Sequence, residues 1–251
     1  MKLNERRAMD AMTMPRVVEP EWLDTLAADD PRAIRSRSDL RRVHRWMGTA
    51  PLLGNALDSI LIGRGPTTLV ELGAGDASLL LRVARRRARH WPKITLQLLD
   101  LQPVVEADTL AGFRALGWDV DVMRTDVFEW LAVAHAGPRA SDGQPVIFAN
   151  LFLHHFDGAR LATLLDALAD LASAFFCIEP RRSPFALSAS RLLGLIGCND
   201  VTRHDAVTSV RAGFSARELS TLWPHADTWR LAESTAGPFS HRFHATRVPV
   251  Q

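Results

Sequence analysis

The sequence has 251 residues, of which 47% are hydrophobic and 23% are charged, as is usual for a globular protein. No run approaches the ~18 apolar residues of a membrane span, so we expect no membrane partner. The formal net charge of +2 is too small to indicate a nucleic-acid partner. Two cysteines exclude a disulfide-dense scaffold. With no tyrosine and few lysines, proton transfer falls to histidines and carboxylates.

The first part of the chain has helical patterning. Residues 1–20 are polar and irregular, and they contain no apolar stretch typical of a secretory signal, so we expect a cytoplasmic protein. From residue 21 to about 63 the apolar residues recur at helical spacing, in segments near 22–26, 31–47 and 51–62. The sequence therefore predicts an N-terminal helical cap over residues 1–66.

From residue 67 onward, short apolar runs alternate with amphipathic helical segments. The predicted strands are 67–72, 93–100, 119–123, 145–150 and 174–178, with helices near 77–90, 103–116, 127–134 and 157–171. This alternation indicates an α/β fold with a mostly parallel, doubly wound sheet. After an insertion over residues 183–224, two more strands at 228–232 and 239–248 form a predicted antiparallel hairpin. Residues 67–251 therefore make a second domain that contains a lid insertion.

A glycine turn and several acids follow the predicted strands. Gly73-Ala74-Gly75-Asp76 joins the first strand to the first helix, directly after Glu71. The turn lacks the third glycine of a dinucleotide fingerprint, because Ser78 stands there, and it lacks the Gly-Lys-Ser/Thr of a phosphate loop. A carboxylate at this turn would repel a pyrophosphate but suit a cationic ligand. Asp100 ends the second strand, where it is placed to accept ribose hydroxyls, and Asp126 follows the third.

With these motifs the sequence resembles the class I S-adenosylmethionine-dependent methyltransferases, of the small-molecule, ubiquinone-biosynthesis-like type. The matching segments are Val70–Gly75, Leu98–Asp100, Arg124–Phe128 and Asn150–Phe156. The resemblance implies a Rossmann-like, seven-stranded sheet in the order 3-2-1-4-5-7-6 with the last strand antiparallel. It also implies S-adenosylmethionine as cofactor and S-adenosylhomocysteine as product. The alternative is an ordinary α/β turn with solvated acids.

The resemblance also assigns a cofactor role to individual positions. Gly73 and Gly75 would border the methionine part, Asp100 would bind the ribose, and Asn150 would lie near the sulfonium. Asp126 would bind the adenine amino group, with Val127 beside the ring. The full set of expected cofactor-binding residues is Glu71, Gly73, Ala74, Gly75, Asp100, Leu101, Asp126, Val127 and Asn150.

Three histidines are candidates for the general base of methyl transfer. His154 and His155 follow the fourth strand, and His204 in the insertion is followed by Asp205, which would orient it. The unperturbed pKa of histidine, near 6.5, suits this role. The alternative for the first two is packing or capping at the head of the next helix.

The end of the fifth strand and the insertion also supply candidate substrate anchors. Arg181, Arg203 and Arg211 are expected to hold a carboxylate or phenolate, the alternative being solvated lid residues. The arginine run 82–89 is interpreted as a solvated helix face rather than a nucleic-acid patch. Nine histidines without tight ligand spacing predict no metal.

The sequence therefore predicts a methyltransferase acting on a small, aromatic or polyketide-like metabolite, as a monomer or homodimer. O-methylation is the first choice and C-methylation of an electron-rich ring the second. A cofactor-binding protein of this fold that transfers no methyl group, such as a pericyclase-like or regulatory protein, is the alternative from another class. An RNA methyltransferase is disfavoured by the small net charge and by the lack of an Asn/Asp-Pro-Pro-aromatic motif.

Overall fold

The computed structural model of the chain describes residues 14–136 and 143–248. Its N-terminal part contains helices α1 (Trp22–Thr25), α2 (Pro31–Met47) and α3 (Thr49–Leu61). Asp30 caps α2 by accepting a hydrogen bond from the backbone N–H of Arg32, and Pro31 occupies the first turn, where its missing N–H costs nothing. Gly48 ends α2 in the left-handed conformation (φ 69°), so that α3 starts immediately after it.

Seven strands form one sheet in the described residues. The elements that follow α3 are β1 (Thr67–Leu72), α4 (Ser78–Arg87), β2 (Ile94–Asp100), α5 (Ala107–Arg114), β3 (Asp119–Arg124), α6 (Val127–Ala136), β4 (Val146–Asn150), α7 (Gly158–Leu171), β5 (Ala174–Pro180), α8 (Pro184–Arg191), α9 (Asp200–Ala212), α10 (Glu218–Leu222), β6 (Trp229–Ala236) and β7 (Ser240–Arg247). The order is β3-β2-β1-β4-β5-β7-β6, and β7 runs antiparallel to both of its neighbours. The predicted fold and strand order are confirmed.

The sheet is buried on both faces, as its continuous apolar strands predict. Phe148 and Phe176 stack with centroids 5.1 Å apart in the core that also contains residues of α3 and α4. Their neighbours Ile147 and Phe175 belong to the core on the opposite face, which is shared with α7. The central strands therefore hold the glycine turn and the strand ends rigidly in place.

One helix begins later than the sequence predicts. The expected start at Pro103 is wrong, because α5 begins at Ala107. The backbone N–H of Val104 instead donates to the carbonyl of Gly75, at 3.2 Å. This bond lays residues 103–106 against the glycine turn, where they border the site rather than extend a helix.

The cap helices and the insertion hold each other at both ends. Asp39, buried on α2, accepts from the backbone N–H of Asn199 at the head of α9 (2.8 Å). Asp205, buried on α9, accepts from the backbone N–H groups of Trp22 and Leu23 at the head of α1 (2.8 and 2.9 Å). These reciprocal caps join segments that are far apart in sequence. In the described ranges, no helix combines the length and hydropathy needed to cross a bilayer.

Candidate active site

A cavity of about 530 Å³ opens where β1, β2 and β4 end. Parallel strands present their carboxyl ends at the same edge of a sheet, and ligands of open α/β sheets bind there. The lining combines strand-end residues with side chains from the cap. The predicted site residues that line it are Glu71, Gly73, Ala74, Gly75, Asp100, Leu101, Val127, Asn150, His154 and His155.

The glycine turn is shaped by two residues with positive φ. Gly73 has a φ of 68°, and a Cβ at this position would lie 2.5 Å from the ring of Phe152, so only glycine fits. Gly75 has a φ of 54° and donates its N–H to Oδ2 of Asp100 at 2.8 Å, while Gln102 N donates to Oδ1 at 2.7 Å. Asp100 is thereby fixed at the rim, and each of its oxygens keeps a further lone pair for a ligand.

Two buried acceptors face the cavity without a partner among the described residues. They are Oε2 of Glu71 and Oδ1 of Asn150. Burial, together with the nearby carboxylates of Asp76 and Asp100, raises the pKa of Glu71 well above its ordinary value. Buried polar atoms are nearly always hydrogen-bonded, so this pair indicates a ligand that brings donors or positive charge.

Asp126 lies beside the cavity lining rather than in it. Its Oδ1 accepts from the backbone N–H of Phe128 at 2.8 Å, which caps the first turn of α6. Its neighbours Thr125 and Val127 form the wall at this point. The expected adenine contact would therefore have to use the other carboxylate oxygen of Asp126.

His154 is enclosed between two carboxylates. Its Nδ1 lies 2.8 Å from Oε2 of Glu179, and its Nε2 lies 3.2 Å from Oε1 of Glu21. Glu179, fully buried at the end of β5, also accepts from the backbone N–H groups of residues 152–154. Burial alone would lower the pKa of His154, but the bonds to Glu179 and Glu21 outweigh it and raise the pKa. His154 therefore carries no free ring nitrogen for a substrate.

His155 is more open to the cavity. Its Nδ1 donates to the carbonyl of Phe152 at 2.9 Å, and its Nε2 lies 3.6 Å from Oε2 of Glu21 and 3.5 Å from Oδ2 of Asp24. Burial alone would lower the pKa of His155, but Glu21 and Asp24 outweigh it and raise the pKa to about 9. With these carboxylates beside it, His155 is a cation and a proton donor at neutral pH.

His204 does not line this cavity. Its ring stacks on Trp22 with centroids 4.0 Å apart, and Nδ1 lies 2.8 Å from Oδ1 of Asp205. Asp205 orients the histidine, as the sequence suggested, but it also holds the head of α1. The structure therefore places this pair at the contact between the cap and the insertion.

The three arginines expected to anchor substrate also lie outside the lining. Arg211 has its Nη1 3.6 Å from Oε2 of Glu19, and the side chain of Arg181 reaches a carbonyl in the β6–β7 turn. Arg203 lies on α9 and is exposed. Arg182, the residue after Arg181, is buried, and it pairs with Glu218 (Nη1 to Oε2 3.1 Å).

Basic side chains that are not among the predicted site residues also line the cavity. Arg37, Arg41 and His44 line it from α2, and Arg82, interpreted as solvated, lines it from α4. Arg41 pairs with Asp76 at 3.0 Å. Burial lowers the pKa of His44 to about 4, and its Nε2 has no partner among the described residues. In the sequence, the i, i+4, i+7 spacing of Arg37, Arg41 and His44 indicates that they share one face of α2.

Comparison with solved structures identifies the fold. An O-methyltransferase family protein from Burkholderia thailandensis matches with a TM-score of 0.55 and 19% identity, over 88% of this chain and 61% of that one. The plantazolicin methyltransferase BpumL, solved with S-adenosylhomocysteine, matches with a TM-score of 0.56 and 11% identity, over 88% of this chain and 92% of its own. The chain has the class I methyltransferase fold.

Other proteins with the methyltransferase fold act on different substrates. The riboflavin-derivative dimethyltransferase RosA from Streptomyces davawensis matches at a TM-score of 0.56 and 13% identity, over 91% of this chain and 62% of its own. The small RNA methyltransferase HEN1 matches at 0.52 and 13% identity, over 77% of this chain and 25% of its own. The chain thus spans less than two thirds of several of these proteins. No family model matches the sequence, and no curated protein is significantly similar to it.

Proposed function

We propose that this chain is an S-adenosylmethionine-dependent methyltransferase that acts on a small metabolite, with O-methylation as the first choice. One observation carries the proposal. The cavity brings the fixed carboxylate of Asp100 together with the unpartnered buried oxygens of Glu71 and Asn150, beside a turn that only glycine allows at position 73.

The residues present fit this cofactor. Asp100 would accept from the two ribose hydroxyls, and Oε2 of Glu71 would pair with the ammonium group of the methionine part. Asn150 would lie near the sulfonium, and Val127 beside the adenine ring, with Oδ2 of Asp126 accepting from the amino group. S-adenosylmethionine supplies an electrophilic methyl group when it is bound. The three acids at this edge of the sheet, Glu71, Asp76 and Asp100, favour such a cationic ligand over a pyrophosphate.

The rest of the cavity supports a small acceptor molecule. A total of about 530 Å³ is within the ordinary range for small-molecule sites, and the cap helices enclose it. Phe152 and Phe156 offer apolar walls at the end where His155 is found. We propose that His155 orients the acceptor there. C-methylation of an electron-rich ring remains the second candidate, favoured by the lack of a free ring nitrogen on His154.

Labelled methyl transfer tests the proposal. Purified protein is incubated with methyl-labelled S-adenosylmethionine and a panel of phenols and hydroxylated polyketide-like compounds, and S-adenosylhomocysteine and product masses are measured. We expect label in at least one small molecule, with the product structure separating O- from C-methylation. Asp100→Asn is expected to abolish transfer, and Asp108→Asn, an exposed acid on α5, to preserve it.

The contrary outcomes point to specific alternatives. Cofactor binding without label in any compound supports a protein of this fold that transfers no methyl group. Label in added RNA, with binding that weakens steeply as salt rises, supports the RNA methyltransferase alternative.

A further inference from the structure

The cavity wall contains a compact cluster of histidines and carboxylates. Glu21, His154 and His155 each offer one ligand atom, and these atoms all lie within 4.8 Å of one another. Asp24, one helical turn after Glu21, faces the same histidine. All four residues line the cavity. The cluster therefore joins the cap to the loop after β4 in the wall of the cavity.

Each of the two imidazoles is fixed by a hydrogen bond at its Nδ1 atom. Nδ1 of His154 is bound to the Glu179 carboxylate at 2.8 Å, and Nδ1 of His155 donates to the carbonyl of Phe152 at 2.9 Å. The Nε2 atoms of both rings consequently point toward Glu21. Histidines that bind metals almost always have this second contact, to a carboxylate or a backbone carbonyl, which fixes the ring and the tautomer.

The distances around Nε2 of His155 suit a metal ion better than direct hydrogen bonds, whereas Nε2 of His154 is within hydrogen-bond distance of Oε1 of Glu21 at 3.2 Å. Nε2 of His155 lies 3.6 Å from Oε2 of Glu21 and 3.5 Å from Oδ2 of Asp24, which is too long for a good hydrogen bond. Two ligands at ~2.1 Å from a tetrahedral zinc ion lie about 3.4 Å apart. The observed separations are therefore close to one edge of such a coordination shell.

We propose that Glu21, His154 and His155, with Asp24 as a further ligand, bind a divalent transition metal ion of the Zn²⁺ class, and that each imidazole releases its Nε2 proton to solvent when the ion binds. A set of two imidazoles and carboxylates suits such ions, whereas Mg²⁺ and Ca²⁺ prefer ligand sets made of oxygen atoms. Asp24 is exposed and His155 partly so, which leaves an entry path. The sequence predicted no metal because the ligands are split between residues 21–24 and 154–155, with no local spacing to recognise.

A bound ion at this point would face the acceptor end of the cavity. A divalent cation stabilises a developing alkoxide or phenolate on an oxygen ligand, which would favour methyl transfer to oxygen. This role rests on the proposed function. Metal binding itself does not, because none of the four ligands is among the proposed cofactor-binding residues.

Metal titration of the tag-free, full-length protein tests the site. The protein is stripped with chelator, Zn²⁺ binding is measured by calorimetry, and Co²⁺ is added to read its visible absorption. We expect one ion per chain and a Co²⁺ spectrum typical of tetrahedral nitrogen and oxygen ligands. His155→Gln and Asp24→Asn are expected to weaken Zn²⁺ binding at least tenfold, and His90→Gln, an exposed histidine beyond α4, to leave it unchanged.

Two results would overturn the site: no stoichiometric ion in the wild type, or equal affinity in the wild type and both ligand variants. Asp24 is exposed, so its variant stays informative if His155→Gln is poorly folded, and thermal melts of each variant verify folding. S-adenosylhomocysteine binding is measured on the same samples. Metal binding without S-adenosylhomocysteine binding contradicts the proposed function alone, and the reverse result contradicts the metal site alone.

Discussion

Replacement of Glu71 by glutamine is expected to stabilise the protein while it weakens cofactor binding. The carboxyl is 4% exposed, and Oε2 has no partner among the described residues. Burial and the charges of Asp76 and Asp100 raise its pKa in the folded state. Retention of this proton in the folded state costs about 1.4 kcal/mol for each pH unit between the ordinary pKa and the folded-state pKa, and glutamine avoids that cost, so Glu71→Gln should raise stability at pH 8. This corresponds to a melting point higher by about 2–4 °C per kcal/mol.

The sign of the pH dependence follows from proton linkage. Above the ordinary pKa of 4.5, the unfolded chain releases the proton of Glu71 while the folded chain retains it. Wild-type stability therefore falls as pH rises from that value toward the folded-state pKa. Glutamine does not titrate, so the advantage of Glu71→Gln is expected to grow between pH 5 and pH 8 in urea denaturation.

A matched control isolates the effect of burial. Glu106 is a glutamate that is exposed at the start of α5, and Glu106→Gln should change neither the stability nor its pH dependence. Calorimetric titration with S-adenosylmethionine should show a loss of tenfold or more for Glu71→Gln. A variant less stable than wild type at pH 8, or one whose advantage does not grow with pH, would refute the reasoning.

Three further predictions concern the glycine turn, the buried arginine and the cap histidine. Gly73→Ala places a Cβ 2.5 Å from the ring of Phe152, so the variant should lose cofactor affinity and about 1–3 kcal/mol of stability in thermal melts. Gly75→Ala has open space at Cβ and should be destabilised by less. Arg182→Met removes a buried guanidinium that donates to Glu218 and to the carbonyls of Met14 and Gly213, so it should cost about 1–3 kcal/mol in urea denaturation. Arg181→Met should cost less than about 0.5 kcal/mol. Because burial lowers the pKa of His44 to about 4, the stability of the protein should fall as the pH drops from 6.5 toward 4. An NMR titration of His44 should have its midpoint near pH 4, and a midpoint near 6.5 would contradict its burial.

The fold and the residues that line the cavity at the glycine turn were predictable because they depend on local patterns. The apolar runs and the helical periods determine the parallel sheet, and Asp100 follows directly from the end of β2. The strand ends of such a sheet meet at one edge whatever the side chains of the helices are. Glu71, Gly73 and Gly75 consequently line one cavity, as their positions along the chain indicate.

The part of the cavity wall around His154 and His155 was not predictable in the same way, because it depends on tertiary contacts. Glu21 reaches His154 because Asp205 in the insertion holds the start of α1. The local sequence of neither segment specifies this contact between Asp205 and α1. The same capping bonds explain why His204, adjacent in sequence to Asp205, stacks on the cap instead of facing the cavity. Arg181 and Arg182 are the same residue type at adjacent positions, and only the packing around α10 distinguishes the buried Arg182 from the half-buried Arg181.

The central claim is that the turn after β1 and the end of β2 form an S-adenosylmethionine site. Isothermal titration of S-adenosylmethionine and S-adenosylhomocysteine into wild type, Asp100→Ala and Asp108→Ala tests it most directly. We expect one site per chain in the wild type and the Asp108 variant, and at least a hundredfold weaker binding in Asp100→Ala. Absence of binding in the wild type, or equal affinity in Asp100→Ala, would contradict the claim.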